Sequence, residues 1–460
     1  MKTHSRFLSV ATACAWLLLP SASALAQAST VGQWSAVQNW PIVAVHSHLL
    51  PTGKILFWAY SDGIYLWDPA TAVVTSAPNA GRNVFCAGES FLADGRLFVA
   101  GGHIRNNVGL ASASIYDPVA NNWTAVPNMN AGRWYPSATT LANGDVLVTS
   151  GDNRHRVNQL PQVYQVANNT WRNLSSAQLS ITLYPRTFLA PNGKVFFATS
   201  TSRYLDTSGA GAWTTVGNRI HAGRDNYGSA ALLADGKIIF VGGGDPPTAT
   251  CEVIDLNAPT PTWTATGSMA TPRRQNNVTL LPDGQLLVTG GSSAAGFNEP
   301  SGAVHIAEIW NPATGLWSTM ASCTRYRGYH STAVLLPDGR VLSAGGDNEP
   351  NAEVYSPPYL FNGARPTITS APASVTYGQT FSVSTPDAAG ITKVTWTRIG
   401  SLTHAQNWDQ RINVLSFTSG SGALNVTAPS NPNLCPPGHY LLWILNGSGV
   451  PSAAKIVRIN

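Results

Sequence analysis

The chain has 460 residues, only 11% of them charged, and a formal net charge of +5. Its basic residues are scattered along the chain, so the charge pattern gives no indication of a nucleic-acid-binding surface. Glycine, proline and tryptophan are abundant, with 42, 31 and 15 copies, which is typical of an all-β protein with many turns. A chain of this length is expected to contain more than one domain.

Residues 1–26 have the pattern of a secretory signal peptide. Lys2 and Arg6 form the basic start, an apolar run follows, and a small-residue cleavage site ends at Ala26. Removing this segment lowers the net charge by two, from +5 to +3. No later apolar run is long enough to span a bilayer. We therefore expect a secreted protein, extracellular or periplasmic, that begins at Gln27 and has no membrane span.

A turn signature recurs seven times along the next three hundred residues. In each copy, two apolar runs flank a turn that contains a glycine, and successive glycines are 42 to 55 residues apart: Gly53, Gly95, Gly144, Gly193, Gly236, Gly284 and Gly339. A period of this size, with four short strands in each copy, is typical of a kelch-type β-propeller. We predict a seven-bladed propeller for residues 27–362.

The repeat ends shortly after Tyr359, and the remaining chain has a different pattern. Residues 363–460 contain short alternating strands, such as 393–396 and 440–445, separated by turn residues. This pattern is typical of an immunoglobulin-like β-sandwich. The predicted fold class is therefore all-β, with a propeller followed by a sandwich.

Four cysteines follow the predicted signal peptide, and they are Cys86, Cys251, Cys323 and Cys435. Secretion permits disulfide bonds, but the sequence leaves their pairing open. If Cys86 has another use, one of the other three must stay free.

The repeat predicts that one group of side chains lies at a common level around the propeller axis. Nine residues before each turn glycine, the chain should enter the innermost strand of its blade. We call these positions the column, and they are Ala44, Cys86, Tyr135, Tyr184, Tyr227, Gln275 and His330. Interior strand positions favour Val, Ile or Thr, so a column this polar indicates a site. Taken singly, each residue is more often structural, but their shared register favours function.

The column suggests a metal. Cys86 and Tyr135 belong to adjacent blades and can touch, while Tyr329 and His330 offer a phenol and an imidazole together. Those two ligand types suit copper. Zinc more usually recruits cysteine or carboxylate partners, and neither lies beside Tyr329 and His330. The alternatives are a non-catalytic kelch propeller that binds glycan or protein, and a zinc hydrolase, which lacks the expected carboxylates.

At these residues the chain resembles the galactose oxidase and glyoxal oxidase family of copper radical oxidases. Residues 83–88 resemble the segment whose cysteine bonds to a tyrosine ring, and residues 132–135 resemble the segment with that tyrosine, in a form closer to glyoxal oxidase. Tyr329 and His330 resemble the axial tyrosine and the first histidine ligand. Residues 402–411, which include His404, resemble the loop whose histidine completes the copper site.

The resemblance implies one copper ion per chain, with Tyr135, Tyr329, His330 and His404 as ligands. It also implies a protein-derived cofactor, a thioether between Cys86 and Tyr135 that stabilises a tyrosyl radical. The implied reaction is the two-electron oxidation of an alcohol or a hydrated aldehyde, with O₂ reduced to H₂O₂ and Tyr329 as general base. The expected partners are O₂ and a small alcohol, aldehyde or carbohydrate, and the protein is expected to be a monomer.

One departure from the family concerns the cover over the thioether. Galactose oxidase places a tryptophan there, but residues 150–155 contain none, and His155 is a candidate replacement. Arg133 and Trp134 are expected to flank the pocket, with Trp134 pointing to the opposite face of its strand from Tyr135. Further candidates for contacts around the site are Arg133, Tyr184, Tyr227 and Gln275.

Overall fold

The computed structural model describes residues 22–60, 63–225 and 227–460. Most of the predicted signal peptide, residues 1–21, lies outside the described residues. An α-helix at Ala22–Val31 runs across the predicted cleavage point. The short 3₁₀ helices are Pro300–Gly302, Pro358–Phe361 and Ala388–Gly390. Within the described ranges, no helix has the length and apolar character needed to cross a membrane.

Each sequence repeat forms its own antiparallel sheet, in which strands that follow each other in the chain are hydrogen-bonded neighbours. The first sheet consists of His46–Leu49, Ile55–Trp58, Ile64–Trp67 and Val74–Ala77, the second of Ala87–Phe91, Leu97–Gly101, Ala113–Asp117 and Asn122–Val126, and the third of Trp134–Thr140, Val146–Asn153, Gln162–Gln165 and Thr170–Asn173. Arg156–Val157 extends the third sheet, and His103–Arg105 pairs with Val108–Gly109 in a separate hairpin.

The later repeats follow the same order. The fourth sheet consists of Thr187–Leu189, Val195–Phe197, Thr201–Asp206 and Ala212–Asn218, the fifth of Ser229–Leu232, Lys237–Val241, Cys251–Asp255 and Trp263–Thr266, and the sixth of Asn277–Leu280, Leu286–Thr289, Ile306–Asn311 and Leu316–Ser322. The seventh contains Ser331–Leu335, Val341–Gly345 and Asn351–Ser356, and its outer positions are filled by Gln33–Trp34 and Gln38–Asn39. The two ends of the repeat region are thereby joined in one sheet.

Five arginines, all but Arg82 of them buried, hold the segments that lead into the inner strands. In five repeats, an arginine ahead of the inner strand donates to the backbone carbonyl at or beside the glycine pair, and these are Arg82, Arg133, Arg224, Arg273 and Arg327. Three of them also pair with a fully buried glutamate on the third strand, namely Glu252, Glu308 and Glu353. A buried guanidinium needs both hydrogen bonds and a counter-charge, and these three repeats supply both.

The C-terminal region forms two facing sheets around a separate core. One sheet contains Ser374–Val375, Lys455–Ile459, Gly438–Asn446, Ile391–Arg398 and Ile412–Leu415, and the other contains Thr380–Ser384, Ala423–Thr427 and Phe417–Ser419. The core between them includes Trp396, Val426 and Leu442, each fully buried. The prediction of an all-β chain with a C-terminal sandwich is confirmed.

One hairpin of the C-terminal region joins the first sheet. Its strands are Ser401–Thr403 and Gln406–Asn407, and Ser401–Thr403 pairs antiparallel with His46–Leu49, with Thr403 opposite His46. The two turn residues, His404 and Ala405, have φ values of 49° and 62°, as a tight two-residue hairpin turn requires. The turn therefore carries His404 beyond the edge of the first sheet.

Candidate active site

The column positions share an unusual backbone conformation. Six of the seven have φ between 44° and 66°, the exception being Ala44, and they are Cys86, Tyr135, Tyr184, Tyr227, Gln275 and His330. Residues other than glycine seldom adopt this left-handed conformation. The equivalence predicted from the repeat is thus present in the backbone, but the conformation itself was not predicted.

Tyr135, Tyr329 and His404 meet through their polar atoms. The Tyr135 hydroxyl is hydrogen-bonded to the Tyr329 hydroxyl, and it lies 2.8 Å from His404 Nε2. The other ring nitrogen of His404, Nδ1, lies 2.6 Å from the Thr403 hydroxyl. Residues more than 260 positions apart in the sequence therefore converge here, with His404 anchored so that Nε2 faces the tyrosines.

His330 completes this group, and Asp347 orients it. The His330 ring lies 4.5 Å from that of His404, at an interplanar angle of 90°. Its Nδ1 is 2.5 Å from a carboxylate oxygen of Asp347, while Nε2 is buried and has no hydrogen-bond partner among the described residues. A carboxylate on one ring nitrogen and a lone pair left on the other is the usual arrangement of a metal-binding histidine. Sequence reasoning missed Asp347, whose only signal is its place directly after Gly346.

Cys86 lies against Tyr135 in the interior of the fold. Its thiol is fully buried and within hydrogen-bonding reach of the Tyr135 side chain, and burial raises the pKa of the thiol well above its ordinary value. The two residues are also linked by the backbone, because the Tyr135 N–H donates to the Cys86 carbonyl at 2.9 Å. All four cysteines in the described part of the chain are free and buried.

Two aromatic rings cover the Tyr135 ring. Trp134 stacks on it at 3.8 Å with an interplanar angle of 9°, and Tyr184 at 4.5 Å with 19°. Two rings cannot occupy one face at these distances, so they cover opposite faces. The expectation that Trp134 points away from Tyr135 is wrong, because the φ of 64° at Tyr135 breaks the alternation of an extended strand.

Two other suggested residues lie away from the site. His155 is exposed in the turn between Val146–Asn153 and Arg156–Val157, so Trp134, not His155, provides the cover. Arg133 is fully buried and donates to the carbonyls of Ser150 at 2.7 Å and Leu160 at 2.5 Å. Its guanidinium holds the backbone of the third sheet together, so its contacts are structural.

Tyr227 and Gln275 lie on the far side of Tyr329. The Tyr227 ring is 6.0 Å from that of Tyr329, and the Arg274 guanidinium lies 4.6 Å from the Tyr227 ring centre. Gln275 Nε2 donates to the Phe297 carbonyl at 2.5 Å. The Phe297 ring contacts that of Tyr329 at 4.6 Å. These residues therefore support one wall of the site.

A cavity of about 480 Å³ opens beside the convergent hydroxyls. Tyr135, Tyr329 and His404 line it, together with side chains of mixed character: Trp134, Asp152, Val157, Ile181, Thr182, Leu183, Tyr184, Arg186, Tyr227 and Phe297. Burial lowers the pKa of Arg186 to about 10, which leaves it cationic at neutral pH. No motif or repeat position singles out Arg186 in the sequence.

Burial also sets the protonation of the site residues. Desolvation raises the pKa of the Tyr135 and Tyr329 hydroxyls well above the ordinary value, with neighbouring ionisable groups as smaller causes. It lowers the pKa of His404 well below the ordinary value, with further lowering by His330 and His46. In the absence of a cation, the site therefore holds neutral phenols and a neutral imidazole. A bound cation reverses this preference for the phenols.

Residues 66–210 and 244–362 match the family model described as the glyoxal oxidase N-terminus, and residues 365–459 match that of the galactose oxidase-like early set domain. The chain belongs to the galactose oxidase and glyoxal oxidase family. It is therefore an oxidoreductase, as the resemblance of residues 83–88, 132–135 and 402–411 implied.

Individual family members agree with this assignment. Galactose oxidase of Gibberella zeae is 29% identical over 93% of this chain and 71% of its own length. The aldehyde oxidase GLOX of Vitis pseudoreticulata is 28% identical over 82% of each chain. A solved structure described as a novel fungal alcohol oxidase in complex with copper superimposes with a TM-score of 0.86 and 26% identity, covering 94% of this chain and all of its own.

Proposed function

We propose that this protein is a copper radical oxidase that converts an alcohol to an aldehyde, or a hydrated aldehyde to an acid. One O₂ accepts the two electrons and two protons removed from the substrate and becomes H₂O₂. The observation that carries the proposal is the meeting of the Tyr135 hydroxyl with the Tyr329 hydroxyl and with His404 Nε2 at 2.8 Å. A non-catalytic binding propeller has no need of such a group.

The residues present suit a copper ion. We propose Tyr135, Tyr329, His330 and His404 as its ligands, since phenolate and imidazole donors together favour copper over most divalent ions. His330 Nε2 is buried without a hydrogen-bond partner among the described residues, and such an atom at a polar site calls for a ligand. Metal binding also offsets the burial that otherwise keeps both phenols protonated.

In the proposed reaction, each side chain has a distinct task. Copper, when bound, would supply one of the two oxidising equivalents. Tyr135, linked through a ring carbon to Cys86 Sγ, would hold the other as a radical and remove the carbon-bound hydrogen of the substrate. Tyr329 Oη would accept the proton of the substrate hydroxyl. Trp134 and Tyr184, stacked on the two faces of the Tyr135 ring, would shield the radical from water.

For the substrate we propose a small alcohol, aldehyde or carbohydrate that enters the cavity of about 480 Å³. Arg186 lines this cavity, and the hydrogen bonds from its Nε and Nη1 go to backbone carbonyls of the fold. Nη2 makes none of these bonds and is suited to donate to an oxygen of the substrate. The relatives named above, which include oxidases of galactose, aldehydes and alcohols, support this substrate range.

We further propose that residues 27–362 form a seven-bladed propeller and residues 363–460 an immunoglobulin-like domain. The joining of the two ends of the repeat region in the seventh sheet, where Trp34 lies opposite Tyr355, supports a closed ring. We also propose that residues 1–26 are removed on secretion and that the mature protein is a monomer.

Copper loading followed by mass analysis and a peroxide assay tests the function. Protein purified without copper and then exposed to Cu²⁺ and air should lose the mass of two hydrogen atoms and one titratable thiol. The same sample should produce H₂O₂ from members of an alcohol, sugar and aldehyde panel. Cys86→Ser should prevent the mass loss, and Tyr329→Phe should retain it with much lower turnover. An unchanged mass and no peroxide would instead indicate a binding protein.

A further inference from the structure

The backbone N–H of Cys86 is bonded differently from those of its column neighbours. The N–H of Tyr135 donates to the Cys86 carbonyl and that of Tyr184 to the Tyr135 carbonyl, both at 2.9 Å, and the Gln275 N–H donates to the Tyr227 carbonyl at 2.7 Å. At these positions, the carbonyl of the preceding column residue is the acceptor.

For Cys86, the preceding column residue is Ala44, and the acceptor is instead a side chain. The Cys86 N–H donates to His46 Nε2 at 3.2 Å. Since Cys86 has a φ of 61°, a conformation that is strained for a residue with a side chain, its backbone depends on this contact from the first sheet.

The same hydrogen bond determines which nitrogen of His46 carries the proton. Nε2 accepts from Cys86, so it holds the lone pair and the proton of the neutral ring is on Nδ1. That nitrogen lies 2.8 Å from Glu89 Oε1, and both side chains are fully buried. The ring also stacks on Trp58 at 5.0 Å. His46 is thereby held in one tautomer and one orientation.

This tautomer argues against a second metal ion nearby. His46, His48 and Glu89 bring ligand atoms within 4.8 Å of one another, which is compatible with metal coordination. An ion bound to Nδ1 of His46 would move the proton to Nε2, where it would face the N–H of Cys86. The cluster is therefore better described as a buried support for the Cys86 backbone. His46 Nε2 accepts the Cys86 N–H, and Glu89 Oε1 lies against His46 Nδ1 at 2.8 Å without completing a hydrogen bond to it.

We propose that His46, oriented by Glu89, is a positioning residue that sets the rate at which Cys86 bonds to Tyr135. The inference rests on the proposed function, because it concerns how the thioether forms. In that step the Cys86 S–H and one ring C–H of Tyr135 are replaced by an S–C bond. The two protons and two electrons released reduce O₂ to H₂O₂. The hydrogen bond from the Cys86 N–H to His46 Nε2 holds the strained Cys86 backbone so that Sγ lies against the ring before the thioether bond exists.

The test follows thioether formation with time, by intact mass, after Cu²⁺ and air are added to protein purified without copper. His46→Phe removes the acceptor and should slow the reaction roughly tenfold or more, because a buried N–H is left unpaired. His46→Gln places an amide oxygen near the position of Nε2 and should restore most of the rate. His48→Gln is the matched control, because His48 lies two residues away on the same strand and contacts the same Trp58 ring, and the amide keeps a polar partner for the Ser401 hydroxyl that His48 Nδ1 contacts at 3.0 Å.

A second pair of variants acts through Glu89 and guards against poor folding of His46→Phe. Glu89→Gln keeps a polar side chain of the same size against His46 Nδ1 and should form the thioether at nearly the native rate. Glu89→Leu removes the carboxyl group that lies against His46 Nδ1, so the ring is less constrained, and this variant should form the thioether more slowly while still melting cooperatively. If both His46→Phe and Glu89→Leu formed the thioether at the native rate, this inference would be overturned while the proposed function would stand. A wild-type protein that never forms the bond would overturn the proposed function, and this inference with it.

Discussion

Asp347 is expected to control how tightly His330 binds copper. Its carboxylate lies 2.5 Å from His330 Nδ1 and is 27% exposed, so the hydrogen bond is charge-assisted and only partly screened. Removing such an outer partner typically weakens metal binding 10- to 100-fold, or about 1.4–2.8 kcal/mol. Asp347→Asn keeps an acceptor and should weaken copper binding about tenfold. Asp347→Leu removes the acceptor and should weaken copper binding nearly 100-fold. The loss will be smaller if the Tyr60 hydroxyl, which lies 3.3 Å from the same nitrogen, replaces part of the lost interaction.

The affinity can be measured by competition with a copper chelator of known strength, in a Cys86→Ser background so that no thioether forms during the titration. Asp338→Asn serves as the control, because Asp338 belongs to the same repeat but pairs with a partly exposed arginine of the turn. Copper affinity should be unchanged in Asp338→Asn. If Asp347→Leu also bound copper within about twofold of the parent, Asp347 would have no role in orienting the proposed copper ligand His330, and the reasoning would be refuted.

Three further predictions concern the core and the radical. Glu308→Ala leaves the buried guanidinium of Arg273 without its counter-charge and should lower the free energy of unfolding by about 3–5 kcal/mol; a loss below about 1 kcal/mol in urea titrations would contradict this. Burial lowers the pKa of His48 to about 3 in the folded protein. Between about pH 6.5 and pH 3, His48 is therefore protonated in the unfolded chain but not in the folded one. The free energy of unfolding should fall by about 1.4 kcal/mol per pH unit as the pH drops through this range. His48→Phe should flatten this acid limb in melting experiments, and an unchanged slope would exclude His48 as its source. Trp134→Leu removes one stacked ring from Tyr135 and should raise the reduction potential of the proposed Tyr135 radical by roughly 20–60 mV in redox titration. An unchanged potential would show that stacking by Trp134 does not stabilise the radical.

The repeat register predicted which residues occupy equivalent positions, because equal spacing from a turn glycine implies equal height in equivalent sheets. It brought Cys86, Tyr135 and His330 into one set before any coordinates were considered. It could not anticipate that these residues have positive φ, because nothing in a Cys, Tyr or His side chain favours that conformation. The error over Trp134 has the same origin, since alternation holds only while the backbone stays extended.

Other parts of the site depend on contacts between distant segments. Asp347 is an ordinary acidic residue in sequence, and its role exists only because the turn after Gly346 brings it to His330 Nδ1. The sequence favours His155 as a cover, yet the third sheet extends past it and leaves it exposed. Such outcomes depend on where a turn leads, and turn direction has a weaker sequence signal than strand periodicity.

The strand His46–Leu49 contacts both Cys86, one partner of the proposed thioether, and the hairpin that carries His404. On one side, His46 accepts the Cys86 N–H at 3.2 Å, and on the other it lies opposite Thr403 in the hairpin that carries His404. Docking of the C-terminal hairpin and placement of the thiol therefore use the same inner strand of the first sheet. A change that separates the hairpin from this strand should displace His404 and loosen Cys86 together. The C-terminal domain thus contributes to the site in two ways, by supplying His404 and by bracing the strand that orients Cys86.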